Sequence, residues 1–191
     1  HFGLEERDAR VFEMDGREFL LRDGGRYDAI LVDAFGSSAI PFHLVTEEAF
    51  GLTASRLADG GVLAINLEAV GWDDPIIGAV AASLAPHFRE ITALPTAEPP
   101  NVLGNVVLLA ANRALAFDEE RLGQPFDYLA DPFLHWWTVQ KNHAWYNRFD
   151  PRRSTRALTD DLNPVDVMTE PINVAARRAL HEHASLRGVA W

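Results

Sequence analysis

The stretch Arg26-Tyr27-Asp28-Ala29-Ile30-Leu31-Val32-Asp33-Ala34-Phe35-Gly36-Ser37-Ser38-Ala39-Ile40-Pro41 decides the fold. Ala29 to Val32 is apolar at successive positions, the pattern of a strand covered by helices on both sides of a parallel sheet. The run stops at Asp33, which therefore sits at the strand's carboxyl end. Small and polar residues follow, letting the chain turn sharply and leaving space beside the carboxylate. In open α/β sheets ligands bind beyond the carboxyl ends of the strands.

Upstream, Arg10 to Met14 reads as a short β-like run closed by Asp15-Gly16, and Arg17 to Arg22 as a short helix. Downstream, Thr46-Glu47-Glu48 offers a capping hydroxyl and two acids suited to a helix start, with Asp59-Gly60-Gly61 as its stop. Val62 to Leu67 is a third strand. Asp74-Pro75 opens a helix with Ile76, Ile77, Val80, Ala81 and Leu84 at helical spacing, ending near Pro86. Glu90 to Leu94 and Asn105 to Ala110 are two more strands, joined by PTAEPPNVLG with no helix between them. They are expected to end the sheet as an antiparallel hairpin.

This alternation predicts an α/β fold with a right-handed, doubly wound sheet. From Phe117 on the pattern turns to helices and loops rich in tryptophan, ending in a helix opened by Pro171 with Ala175, Ala176, Ala179 and Leu180 on one face. Residues 1–191 are expected to form one Rossmann-like domain, with 1–113 as sheet core and 114–191 as a helical C-terminal cover.

With 48% hydrophobic and 24% charged residues among 191, the chain has globular usage and enough length to bury a core. It has no cysteine, which excludes disulfides, thiolate zinc sites and cysteine nucleophiles. No apolar run approaches the roughly 20 residues of a spanning helix, and the expected location is cytoplasmic. The formal charge of −11 disfavours a nucleic-acid footprint and is compatible with a cationic small substrate. Asp15, Asp33 and Asn66 each fall at or near a strand's carboxyl end and form one candidate site. Asp33 is suited to hold an amine, orient it or accept its proton; the alternative is a carboxylate that caps local amides.

HFGLEERDARVFEMDGREFL, YDAILVDAFGSSAIPFHLVTEEAF, LADGGVLAINL and LTDDLNPVDVM together resemble the spermidine synthase-like aminopropyltransferases, across most of the chain. That family shares the Rossmann-type fold of S-adenosylmethionine-dependent methyltransferases. The resemblance implies that Asp15, with Gly16 beside it, contacts the adenine amino group of the nucleoside donor, that Ala34 is a further cofactor-binding residue, and that Asp33 meets the attacking amine. It implies decarboxylated S-adenosylmethionine as donor, or S-adenosylmethionine if the chemistry is methyl transfer, with a small-molecule amine as partner and no metal or nucleic acid. It also implies a homodimer; some members of the group are fused to membrane segments, so one upstream of His1 is among its implications.

Two departures stand out. Gly36 occupies the place of a second aspartate in authentic spermidine synthases. The family's Gly-rich loop and ribose-binding acid would precede His1, and no G-x-G-x-x-G replaces them; the chain is expected to be the N-terminally incomplete piece of such a domain, with weak nucleoside binding on its own. A non-catalytic Rossmann-like interaction module is the alternative reading.

Asp160 and Asp161, in LTDDLNPV, are suited to add negative charge for an amine, with Ser37 as a further candidate contact. Locally, LTDDLNPV reads as a capping loop in which Asn163 caps and Pro164 opens a helix. His135, Trp136, Trp137, His143, Trp145 and Tyr146 read as packing rather than as a cation cage. His181 and His183 are two apart on a helix and so face different ways. Arg152, Arg153 and Arg156 read as a solvated basic turn, and Ser37-Ser38 lacks a nucleophile-elbow pattern.

Overall fold

A computed structural model describes residues 9–34, 40–95, 101–116, 144, 147–151 and 156–186. Its sheet has four strands: β1 (Tyr27–Val32), β2 (Leu57–Val70), β3 (Glu90–Pro95) and β4 (Leu103–Ala111). Their spatial order is β1-β2-β4-β3. β1 and β2 are parallel, while β4 runs antiparallel to both β2 and β3. The helices are α1 (Gly16–Arg22), α2 (Glu47–Arg56), α3 (Pro75–Leu84) and α4 (Val165–Leu186). This is an α/β Rossmann-like arrangement with the expected antiparallel hairpin. One detail differs: β4 inserts between its predecessor and β2, so β3 takes the edge.

Each helix begins where the sequence places a cap. Asp15 accepts the amides of Arg17 and Glu18, Thr46 accepts that of Ala49, and Asp74 accepts that of Ile76 with Pro75 behind it. α2 ends at Arg56, before the expected Asp59-Gly60-Gly61 stop, and β2 begins at once. Those residues instead form an irregularity within β2, where register passes from Tyr27–Leu57 to Ala29–Val62. Gly60 takes φ 77°, and a Cβ on Gly61 would lie 2.9 Å from the Tyr27 carbonyl oxygen. Glycine is needed at both, for conformation at the first and for close approach at the second.

Paired positions in the register share a face. One face carries Ile30 and Val32, then Leu63, Ile65, Leu67 and Ala69, then Val106, Leu108 and Ala110, then Ile91 and Ala93. It packs into a cluster with Phe50 of α2, Ile76, Ile77, Val80 and Leu84 of α3, and Val165 and Ile172 of α4. The other face is only partly covered, and Leu31 is 76% exposed at the free edge of β1.

Two local expectations are corrected. Arg10 to Met14 pairs with no strand among the described residues, and Val11, Phe12 and Met14 are exposed. The last helix starts at Val165, capped by Asn163, rather than at Pro171, which lies inside it. Pro171 lacks an N–H for the Val167 carbonyl, and this gap falls where Val167 is 76% exposed to water. Leu180 is likewise 63% exposed and Ala179 exposed, so the expected apolar face of Ala175, Ala176, Ala179 and Leu180 is not buried as one stripe. The tryptophan-rich segment with His135, Trp136, Trp137, His143, Trp145 and Tyr146, and Arg152 and Arg153, lie outside the described residues, as does the side chain of His183.

Candidate functional site at the carboxyl rim of the sheet

Parallel strands deliver their carboxyl ends to one rim. β4, running the other way, brings its first residues to that same rim. Asp33 follows β1 directly and is exposed. Its neighbour across the sheet is Asn66, because Val32 pairs with Ile65. Asn66 Nδ2 donates to Asp33 Oδ1 at 2.9 Å, and Asn105 Nδ2 donates to Asn66 Oδ1 at 3.0 Å. Three strands are thus joined by a side-chain ladder on the less covered face.

Glu68 stands two residues beyond Asn66 on that face and pairs in register with Asn105. Partial burial pushes its carboxyl above the ordinary glutamate range. Neither Glu68 nor Asn105 was singled out from sequence. The available signal was period two: Asn66 and Glu68 are polar at alternate positions of an otherwise apolar strand, as is Asn105 in β4.

A cleft of about 410 Å³ runs along the outer edge of β1 from Tyr27 to Ala34. Asp33, Ala34, Gly16 and Arg17 all border it, so the structure brings three of the sequence-predicted residues together. Asp15 immediately precedes Gly16, but its carboxylate has local partners. Oδ1 accepts the amides of Arg17 at 2.9 Å and Glu18 at 3.1 Å, while Oδ2 meets His43 Nε2 at 2.7 Å. The bond to His43, aided by those amides against slight desolvation, holds Asp15 below the usual aspartate range. A carboxylate has about four lone-pair sites, so one remains for a further donor such as an adenine amino group. Space beside Gly16 is open, with nothing within 4 Å of where a Cβ would lie.

Asp160 takes a different position from that of an amine contact or a cap. Arg17 grips both its oxygens, at 2.8 and 2.6 Å, and also donates to the His43 carbonyl. The guanidinium keeps Asp160 below the ordinary aspartate range. The Asp160 amide donates to Glu48, the Glu47 amide to the Leu158 carbonyl, and Asn163 Nδ2 to the Phe42 carbonyl. Among the described residues, the loop is stitched to α1 and α2, and Arg17 links it to the cleft. Asp161 is exposed and takes no part in these bonds, and Ser37 lies outside the described residues.

Two curated relatives match most of the chain. It is 27% identical over 175 residues to the "Probable polyamine aminopropyl transferase" of Bifidobacterium longum, covering 86% of this chain and 39% of that protein. It is 27% identical over 164 residues to the "Polyamine aminopropyltransferase" of Vibrio vulnificus, covering 83% of this chain and 52% of that protein. The chain is similar to the spermidine synthase-like aminopropyltransferases. It spans only about two-fifths to one half of those relatives' length. No family model matches it. Among solved structures, a probable spermidine synthase from Corynebacterium glutamicum is 22% identical with a TM-score of 0.48, over 54% of this chain and 38% of that one. Human methyltransferase-like protein 13, solved with SAH, is 18% identical with a TM-score of 0.45, over 69% of this chain and 56% of that one. No described helix is long and apolar enough to cross a membrane.

Proposed function

We propose that this chain carries the amine-handling half of an aminopropyltransferase site, with decarboxylated S-adenosylmethionine as donor. The observation that carries the reading is the placement of Asp33. An exposed carboxylate stands at the carboxyl end of β1, held by Asn66 and bordering the same cleft as Gly16. Asp15 and Gly16 are the residues for the adenine of the donor, and Ala34 lines the cleft between them and the amine.

In the reaction, Asp33 orients a protonated amine and takes one proton from it. The freed nitrogen lone pair forms a bond to the propyl carbon next to the sulfonium. The carbon–sulfur bond breaks with its electron pair remaining on sulfur, and methylthioadenosine leaves. Holding the two reactants in line supplies much of the acceleration. Glu68, on the same face two residues along β2, supplies a second negative charge for a cationic acceptor where Gly36 provides none. Asp160 serves the site indirectly, by fixing Arg17 at the cleft wall.

Isothermal titration of the chain with decarboxylated S-adenosylmethionine, S-adenosylmethionine and methylthioadenosine tests this, repeated with Asp15→Asn and Asp33→Asn. The reading predicts binding that Asp15→Asn weakens, with a preference for the decarboxylated donor. A preference for S-adenosylmethionine moves the assignment to methyl transfer. No binding of any of the three would mean that this chain is a fragment lacking part of the donor site or a degenerate, non-catalytic module.

A further inference from the structure

We propose that Asn105 on β4 is a positioning residue that acts on Asp33 through Asn66. The inference rests on the reading of Asp33 as the acid that handles the amine. Asn105 lies 72 residues after Asp33 in sequence, yet the reversed direction of β4 returns it to the rim where β1 and β2 end. Its flanking positions on that face are Leu103 and Val107, so a half-buried amide here is retained only if hydrogen-bonded.

The ladder works in one sense only. Asn105 Nδ2 donates to Asn66 Oδ1, which turns Asn66 Nδ2 toward Asp33 Oδ1. Inverting the Asn66 amide would set donor against donor at Asn105 and acceptor against acceptor at Asp33. Asp33, an acceptor only, takes the NH2 end of Asn66, and Asn105 holds the carbonyl end in place. Asp33 is met by a donor and anchored through Oδ1, which leaves Oδ2 outside this ladder. A side chain two strands across the sheet from Asp33 thus helps to set the direction of its carboxylate.

The test is nuclear magnetic resonance of the full chain, labelled with ¹⁵N and ¹³C, in wild-type, Asn105→Leu, Asn105→Ser and Asn105→Asp forms, each checked for folding by thermal melting. In Asn105→Leu the Asn66 carbonyl loses its donor, and the side-chain carbonyl ¹³C resonance of Asn66 should shift. The Asp33 carboxyl ¹³C resonance should shift with it. Asn105→Ser keeps a donor and should recover most of both changes. Asn105→Asp replaces the donor by an acceptor, inverts the Asn66 amide and should move Asp33 furthest; it also serves if Asn105→Leu does not fold. An unchanged Asp33 resonance in the Leu and Asp variants overturns the proposal. These signals need no ligand, so they are independent of the titrations above. Donor binding lost in Asp33→Asn beside unmoved Asn105 spectra would keep the proposed function and remove this inference.

Discussion

On β2, Leu63, Ile65, Leu67 and Ala69 are closed off against the helices, whereas Ala64, Asn66, Glu68 and Val70, each one residue away, stay partly accessible. The same strand serves two faces with opposite demands. The closed face contains only apolar side chains, because an unpaired polar group there would lose its water without replacement. The less covered face tolerates Asn66 and Glu68, and the ladder from Asn105 to Asp33 is built where hydrogen bonding and solvent together meet the polar groups' needs. Stability and chemistry are thus separated by the two-residue period of the strand rather than by distance along the chain.

The sharpest way to break that division is to truncate neighbours on opposite faces. Ile65→Ala removes a fully buried side chain from the middle of the core cluster and should destabilise the chain by about 3–4 kcal/mol in denaturant unfolding. Asn66→Ala, the next residue, should cost about 1 kcal/mol while weakening amine binding. Equal destabilisation by the two would show that the ladder is part of the core and not a separate layer.

Next in size is the irregularity in β2 that lets β1 and β2 align. Gly61→Ala forces a Cβ against the Tyr27 and Ala58 carbonyl oxygens, at 2.9 and 3.0 Å. Backbone must move, at a cost of about 2 kcal/mol. If the thermal midpoint is unchanged, β1 is not held by this close approach, and the position of Asp33 depends on something other than the strand pairing.

A smaller effect belongs to the clasp between α1 and the Leu158–Asn163 loop. Asp160→Asn should destabilise by about 1 kcal/mol at neutral pH, since the bidentate geometry is good but the pair is partly exposed. The sign with pH follows from the guanidinium. Arg17 lowers the folded-state value of Asp160 beneath the ordinary 3.8. The stabilisation is therefore present above about that pH and disappears as pH falls through the lower folded value. Wild type and variant should converge in acid. A gap that persists there would assign the effect to the loop's neutral hydrogen bonds instead.

Much of this arrangement was legible in the sequence because local signals agree with the fold. Asp74-Pro75 and Thr46-Glu47-Glu48 mark helix starts through caps that satisfy their own neighbours, and Asp33 ends an apolar run. What was not legible depends on partners distant in sequence. Nothing within PTAEPPNVLG says that β4 will enter between β2 and β3, and without that order Asn105 cannot be placed at the rim. The Arg10 to Met14 run has strand-like residues, but a strand also needs an edge to pair with. Asp160 has the composition of a capping loop, and only the fold reveals Arg17 on the other side. Pro171 resembles a helix start, yet it lies inside α4, where Val167 one turn earlier is largely exposed.

The smallest effect tests the open face by itself. Burial raises the folded-state value of Glu68 above the ordinary 4.5. A raised carboxylate value means that the associated stability is fully present below about pH 4.5 and is lost as pH rises through the folded value. Glu68→Gln should therefore stabilise the ligand-free chain at neutral pH by roughly a few tenths of a kcal/mol after solvent screening, with no difference in acid. A cationic amine bound at the rim reverses the sign, because it pairs with the ionised carboxylate and favours the charged form. Thermal melts with and without putrescine would then show ligand-induced stabilisation in wild type that is reduced in Glu68→Gln. If putrescine raises both midpoints equally, Glu68 does not face the acceptor, and the second negative charge of the site must come from elsewhere than β2.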